Sequence, residues 1–480
     1  MNIGPVQRQS LLTFGSLLSV TAVGYLATFY FAHTLGPAIL GSFYLFLAYY
    51  GIFDLIGDGG FGGAVVKRIS EGREQNEYFT AYFVLRIMLC CISILVIFII
   101  SPFIPKLAEN GLLYWLILSV LVGTFFSITG GDLWGTAKVG IMQLSNLLNA
   151  LVKSCIQILA ILAGFGLGGL IAGFVAGMIA STVVNLRYVS LSISRFNFSH
   201  VKGLLSFSIW TFMSSGGFLV FTYADTVLIG YFMTETDIGI YRVALQLSSV
   251  ASFLVLAFHT VLYPRISKWN AENNKTLIEF ALARAFSYSL LLAIPITVGG
   301  ILLSDRLLYY LYGAAFSSGS EVLIILLFVQ IANIFLYLQT MCLNAIDKPK
   351  ESFTITIISA ILNIILNILL IPVLGIAGAA VASLLTMSGN AILAYLILRS
   401  YVQIRIEKMP VFHFLVSAMV MAIFLWIFLH LIEISGFFIL ILLISCGAIL
   451  YFATVLWIDV SMRSDLNYVL NTINFPINLQ

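Results

Sequence analysis

The chain has 480 residues, of which 61% are hydrophobic and 9% charged, with a formal net charge of +3 and a mean hydropathy of +1.07. So little charge excludes a soluble enzyme domain or a nucleic-acid-binding module and defines an integral membrane protein. The five cysteines, Cys90, Cys91, Cys155, Cys342 and Cys446, all fall inside apolar runs without metal-ligand or disulfide spacing, so they read as small core residues.

In chain order, apolar runs of roughly twenty residues predict about fourteen transmembrane helices and hence an all-α polytopic protein. They cover 10 to 32, 38 to 60, 78 to 101, 112 to 130, 141 to 163, 167 to 187, 204 to 224, 238 to 262, 278 to 303, 321 to 343, 352 to 373, 376 to 398, 411 to 432 and 436 to 457. The first follows a single charge, Arg8, outlasts a signal-peptide core and shows no evident cleavage site, so it reads as a retained span. The short connections leave no room for a catalytic ectodomain.

Lys and Arg concentrate in alternate loops. Lys67, Arg68, Arg73, Arg187, Arg195, Lys202, Arg265, Lys268, Lys275, Lys348, Lys350, Arg399, Arg405 and Lys408, with Arg8, Lys138 and Arg463, make 17 of the 23 on one side. The opposite loops hold Lys106 and Arg306. The positive-inside rule therefore places both termini in the cytoplasm.

The remaining four cations lie inside predicted spans. At 1.5 Å per residue Arg242 is about 6 Å deep, Arg284 about 9 Å, Arg86 about 12 Å and Lys153 about 15 to 18 Å. Arg242 and Arg284 are close enough to snorkel to the interface, whereas Lys153 and Arg86 require a cavity or an ion pair. Asp54 and Asp58 share a helix face just before the glycine-rich "GDGGFGGAVVKR". They read as interfacial partners of Lys67 and Arg68, or alternatively as a cation or proton site. Asp225 ends the seventh span, and "TETD" at 234 to 237 has the form of a capping box, with Thr234 as cap and Asp237 in the first turn.

The chain also repeats itself. "LGSFYLFLA" at 40 to 48 aligns with "IGIYRVALQ" at 238 to 246, placing Gly41 over Gly239 and Tyr44 over Arg242. "FGLGGLIAG" at 165 to 173 aligns with "LGIAGAAVA" at 374 to 382, placing Gly166 over Gly375 and Gly169 over Gly378. Two six-helix bundles related by a parallel repeat follow, 1 to 203 and 204 to 408, around a central cavity, with two extra helices and a cytoplasmic tail in 409 to 480.

These stretches resemble a known family. "FSIWTFMSSGGFLVFTYADTVLIGYFMTETDIGIYRVALQLSSV", "HTLGPAILGSFYLFLA", "DGGFGGAVVKRISEG" and "IPVLGIAGAAVASLLT" occur in the order and topology of Wzx-like polysaccharide flippases. That superfamily also contains multidrug and toxin extruders and lipid II flippases. The resemblance implies transfer of a polyprenyl-diphosphate-linked oligosaccharide, such as an O-antigen unit, from the inner to the outer leaflet of the plasma (inner) membrane, without a cofactor. It also implies a monomer working among membrane lipids, with a proton or sodium as candidate coupling cation and with polysaccharide assembly machinery as a candidate contact.

Phosphate and acidic sugars call for cations, so Arg242, Lys153, Arg86 and Arg284 are the candidate substrate ligands, with Arg242 expected to be held by Asp225. Tyr25, Tyr49, Tyr50 and Trp210 are candidates to stack on sugar rings. Asp58, Asp54 and Asp225 are candidates for ion coupling. No phosphate-binding loop of the G-x-x-x-x-G-K-[ST] type occurs, so ATP hydrolysis is not expected on this chain. A cation-coupled drug extruder is the neighbouring alternative and would favour acids over bases in its cavity. A membrane glycan polymerase or ligase is the more distant one.

Overall fold

The computed structural model describes residues 5 to 108, 111 to 404, 407 to 431, 436 to 464 and 467. Arg405, residue 432 at the expected end of the thirteenth span, and most of the expected cytoplasmic tail lie outside the described residues.

Every described regular element is helical. The first unit holds α1 (Pro5–Asp58), α2 (Phe61–Ser70), α3 (Gln75–Ile100), α4 (Pro105–Ala108), α5 (Leu112–Gly135), α6 (Val139–Leu162), α7 (Gly166–Leu186) and α8 (Phe198–Phe232). There follow α9 (Glu235–Ser248), a 3-10 turn, α10 (Phe253–Ala271), α11 (Lys275–Tyr312), α12 (Ser320–Ala345), α13 (Pro349–Leu398), α14 (Lys408–Leu431) and α15 (Phe437–Ile458). The protein is an all-α, multi-pass membrane protein.

Among the described residues 12 helices are long and apolar enough to cross a membrane. Two of these are far longer than one crossing needs. α1 has 54 residues and α13 has 50, whereas about 20 residues span the hydrocarbon layer. Each is broken by a glycine: Gly36 at φ 72°, ψ 179° in α1, and Gly375 at φ 61°, ψ −143° in α13. Those backbone angles are open to glycine and strained for other residues. Each long helix is therefore long enough for the two spans expected along it, 10 to 32 with 38 to 60 in α1 and 352 to 373 with 376 to 398 in α13.

The glycine-rich stretch between the second and third spans holds a short helix where no element was expected. Gly59 and Gly60 take positive φ and turn the chain out of α1. Phe61, Ala64, Val65 and Ile69 then recur at helical spacing and bury against Phe79, Tyr82, Ile128 and Leu204. Lys67 and Arg68 stand in the last turn, where cations suit the helix dipole.

By packing, the chain divides into two compact units, Met1–Gly239 and Ile240–Gln480. The first takes in α8, beyond the repeat boundary at 203, because glycines on α1 and α2 let α8 come close. A Cβ at Gly51 would lie 2.8 Å from the Tyr223 ring, and one at Gly63 would lie 2.6 Å from the Thr211 methyl group. In the second unit α14 and α15 close over α11 through Leu290, Ile294, Leu303, Phe414, Met421, Leu440 and Tyr451. The Tyr451 hydroxyl donates to the Leu291 carbonyl at 2.9 Å.

The glycines paired by the internal repeat do paired jobs. Gly166 and Gly375 both take positive φ, 49° and 61°. A Cβ at Gly41 would fall on the Glu235 carbonyl oxygen, and a Cβ at Gly239 on the Pro37 carbonyl oxygen. Pro37 and Gly41 match Glu235 and Gly239 in the repeat, so this is an isologous contact about a local pseudo-two-fold axis.

Candidate functional site

Arg86 and the two acids of the second span meet in one buried ion cluster. Arg86 lies on α3 with 0% of its surface exposed. One terminal nitrogen, Nη2, pairs with Asp54 Oδ1 and donates to the Ser127 hydroxyl at 3.3 Å. The other donates to the Asp54 carbonyl at 3.1 Å and stands 3.6 Å from Asp58 Oδ1. Asp58 also accepts from the Gly62 amide at 3.2 Å. A guanidinium with two carboxylates tied to α1, α2 and α5 satisfies the rule that charges buried in a membrane are paired.

Asp54 and Asp58 thus do not exchange with Lys67 and Arg68, the interfacial reading given above. Lys67 sits 4.4 Å over the Phe207 ring, and Arg68 pairs with Glu71 and the Gly203 carbonyl. The reason is direction: the shared face of Asp54 and Asp58 looks at α3, while Lys67 and Arg68 leave on α2. In this conformation the Arg86 guanidinium is turned to its partners and presents no surface to a ligand.

Lys153 differs. It is half-buried in the middle of α6, and no charged group acts on its ammonium among the described residues. α6 lies tight on α7 beside it: a Cβ at Gly173 would come 2.8 Å from the Lys153 carbonyl, and one at Gly177 would come 3.0 Å from the Lys153 Cβ. The glycine stripe of α7 thereby fixes the backbone that carries this charge.

At the other end of the first unit, Lys106 pairs with Glu235 at 2.8 Å and donates to the Met233 carbonyl at 3.4 Å. Asp237 accepts from the Thr234 hydroxyl at 2.6 Å and from its amide at 3.0 Å, which is the capping interaction expected of "TETD". Lys106 and Glu235 line a cavity of about 480 Å³ with Ser42, Tyr49, Trp115 and Phe165. The Lys106–Glu235 pair was not visible in the sequence, where the two residues stand far apart. The signal that could have raised it was Lys106 itself, one of two cations on a side otherwise without them.

The remaining candidates are spread out. Tyr50 packs edge-on to Phe174 at 5.1 Å and donates to Met178 Sδ at 3.5 Å, a packing role in this conformation. Tyr25 meets Phe29 at 6.3 Å, and Trp210 is exposed. Asp225 is buried near the end of α8, and Arg242 is half-buried on α9. Arg284 stands on α11 in the second unit, its guanidinium 4.9 Å over the Phe280 ring.

A polytopic helical protein with paired glycine breaks and charges held inside its spans defines a membrane transporter fold. Residues 31 to 321 match the family described as "Polysaccharide biosynthesis protein", and the chain belongs to that family. Two curated relatives come from Haloferax volcanii. One, named as the probable low-salt glycan biosynthesis flippase Agl15, is 28% identical over 92% of this chain and 94% of its own. The other, named as the probable flippase AglR, is 28% identical over 97% of this chain and 98% of its own. Among solved structures, the lipid II flippase MurJ in an inward closed conformation superposes with a TM-score of 0.78 at 18% identity, covering 95% of this chain and 99% of that one.

Proposed function

We propose that this protein is a flippase that carries a polyprenyl-diphosphate-linked oligosaccharide from the cytoplasmic to the outer leaflet of the cell membrane by alternating access, for glycan assembly. Family membership and the names of the Haloferax volcanii relatives support the class. The observation that supports an anionic cargo is Lys153, half-buried in the middle of the apolar helix α6 with no charged neighbour among the described residues. A cation so placed needs an anion or water to be tolerated, and a diphosphate or an acidic sugar supplies the anion. Arg242 is the second ligand in this reading.

The coupling cation, a proton or sodium, is assigned to Asp58 and Asp54. Two carboxylates against one guanidinium leave a formal surplus of one negative charge in the Arg86 cluster. The test uses purified full-length protein in liposomes with a fluorescent polyprenyl-diphosphate oligosaccharide in the inner leaflet and a membrane-impermeant quencher outside. The wild type should expose the label, and Lys153→Ala should not, at equal incorporation. Equal rates for the two proteins would remove Lys153 from the path, and exposure of a neutral polyprenyl alcohol at the same rate would remove the diphosphate from the definition of the cargo.

A further inference from the structure

The cavity beside Lys106 and Glu235 has no part in the transport reading so far. It measures about 480 Å³ and is formed where the stretch of α1 after the Gly36 break meets the starts of α5 and α7. The Lys and Arg distribution assigns these helix ends to the outer side of the membrane. The volume falls in the range of small-ligand pockets, about 300–1,000 Å³.

The lining disfavours an ion and suits a polyol. Lys106 and Glu235 are its only charged members among the described residues, and they pair at 2.8 Å, so neither an anion nor a cation meets an unmatched counter-charge. Hydrogen-bonding capacity of both kinds is left over. The Lys106 ammonium has three N–H groups and uses two, on Glu235 and on the Met233 carbonyl at 3.4 Å. The Glu235 carboxylate, with about four lone-pair sites, accepts from Lys106 and from its own amide. The Ser42 hydroxyl donates to the Ala38 carbonyl at 3.1 Å, which leaves its oxygen to accept.

Tyr49 is the second observation. It is 9% exposed and lines the cavity, and its hydroxyl has no hydrogen-bond partner among the described residues. Trp115, half-buried on α5, lines the same cavity, and its indole N–H is likewise without a partner among the described residues. An indole that only anchored the protein at the interface would face lipid instead of a cavity.

We propose that this cavity binds a neutral sugar ring of the cargo's glycan at the outer side of the membrane. A sugar hydroxyl donates and accepts at once, which matches a lining with donors and acceptors but no net charge, and the C–H face of the ring packs on an aromatic surface. Glu235 and Ser42 accept from ring hydroxyls, Lys106 and Tyr49 donate to them, and Trp115 and Phe165 cover the apolar face. That the ring belongs to the cargo rests on the flippase reading above; the preference for a neutral sugar does not.

The test is saturation-transfer difference NMR on the full-length protein in nanodiscs, with empty nanodiscs as background. The probes are the methyl glycosides of glucose, galactose, mannose and N-acetylglucosamine, and methyl glucuronide as the acidic comparison. At least one neutral glycoside should bind the wild type, and better than the glucuronide. Trp115→Ala should weaken it by about tenfold, Trp115→Phe should keep most of the affinity, and Tyr49→Phe should lower it severalfold. Glu235→Gln releases Lys106 and should turn the preference toward the glucuronide. Circular dichroism confirms that each variant is folded.

Failure of every neutral glycoside to bind would overturn the proposal. So would a wild-type preference for the glucuronide, which would make the cavity an anion site, or binding unchanged in both Trp115→Ala and Tyr49→Phe, which would put the sugar elsewhere. The flipping assay decides the source of the ring: Trp115→Ala should slow exposure of the labelled oligosaccharide, and an unchanged rate would overturn its assignment to the cargo. A wild type that does not flip at all would sink the transport reading, while the NMR result would still decide the sugar site.

Discussion

Arg86 carries the heaviest electrostatic obligation in the first unit, and its partners determine what its loss would do. Replacing one member of a buried ion cluster leaves the others uncompensated and costs about 3–5 kcal/mol, while replacing the whole cluster by apolar groups of similar size is often tolerated. Arg86→Leu should therefore lower the unfolding temperature and the yield of folded protein sharply. Adding Asp54→Asn and Asp58→Asn to it should restore most of the stability in a thermal unfolding assay, but not transport, because the surplus carboxylate is then missing. Equal stability of the single and triple variants would show that the cluster is not the structural tie its geometry indicates. At Lys153 the expectation is inverted: Lys153→Met should leave stability unchanged or raised, since an uncompensated charge is removed, while transport falls by one to two orders of magnitude for a lost contact of about 1.5–3 kcal/mol. Arg242→Lys should keep part of the activity and Arg242→Ala little, read as flipping rate at matched protein levels.

Among the elements, the two glycine contacts make separate demands. Gly41 and Gly239 bring the segments that begin the second span of each half within backbone contact, and any side chain there meets a carbonyl oxygen. Gly239→Val should force these segments apart. Engineered cysteines beside the contact, at Ser42 and Ile238, should then label faster with a water-soluble maleimide than in the parent protein. Unchanged labelling would mean that the contact opens freely without the substitution. Lys106 reinforces the same place through Glu235, but both side chains are partly exposed, so that pair contributes only about 0.2–1 kcal/mol. The exchange Lys106→Glu with Glu235→Lys should accordingly be nearly neutral in stability. Gly375 works through the backbone instead. Gly375→Ala imposes about 1–3 kcal/mol of strain at its positive φ and should lower the unfolding temperature.

At the scale of the whole molecule, the Lys and Arg count makes a topological prediction that labelling can check: a cysteine introduced between residues 188 and 202 should react only after the membrane is made permeable. Reaction from outside intact cells would reverse the orientation. The sequence alone carried the class of protein and its all-α, multi-pass architecture, because both rest on local or one-dimensional information. A run of some twenty apolar residues has one stable solution in lipid, a helix whose backbone bonds itself. The ends of the apolar runs at 32 and 38 and at 373 and 376 likewise bracket the breaks at Gly36 and Gly375. Only the tertiary structure decided which charges meet. Arg86, Asp54 and Asp58 are each readable as buried and costly, yet their pairing depends on the rotation of α3 against α1, which composition does not encode. The same holds for α8, assigned by the repeat to the second half and packed by its contacts with the first. It holds for Lys106 with Glu235 as well. Helix formation is set along the chain, but an ion pair between helices is set by the angle and depth at which they cross, and those follow from the packing of all their side chains at once.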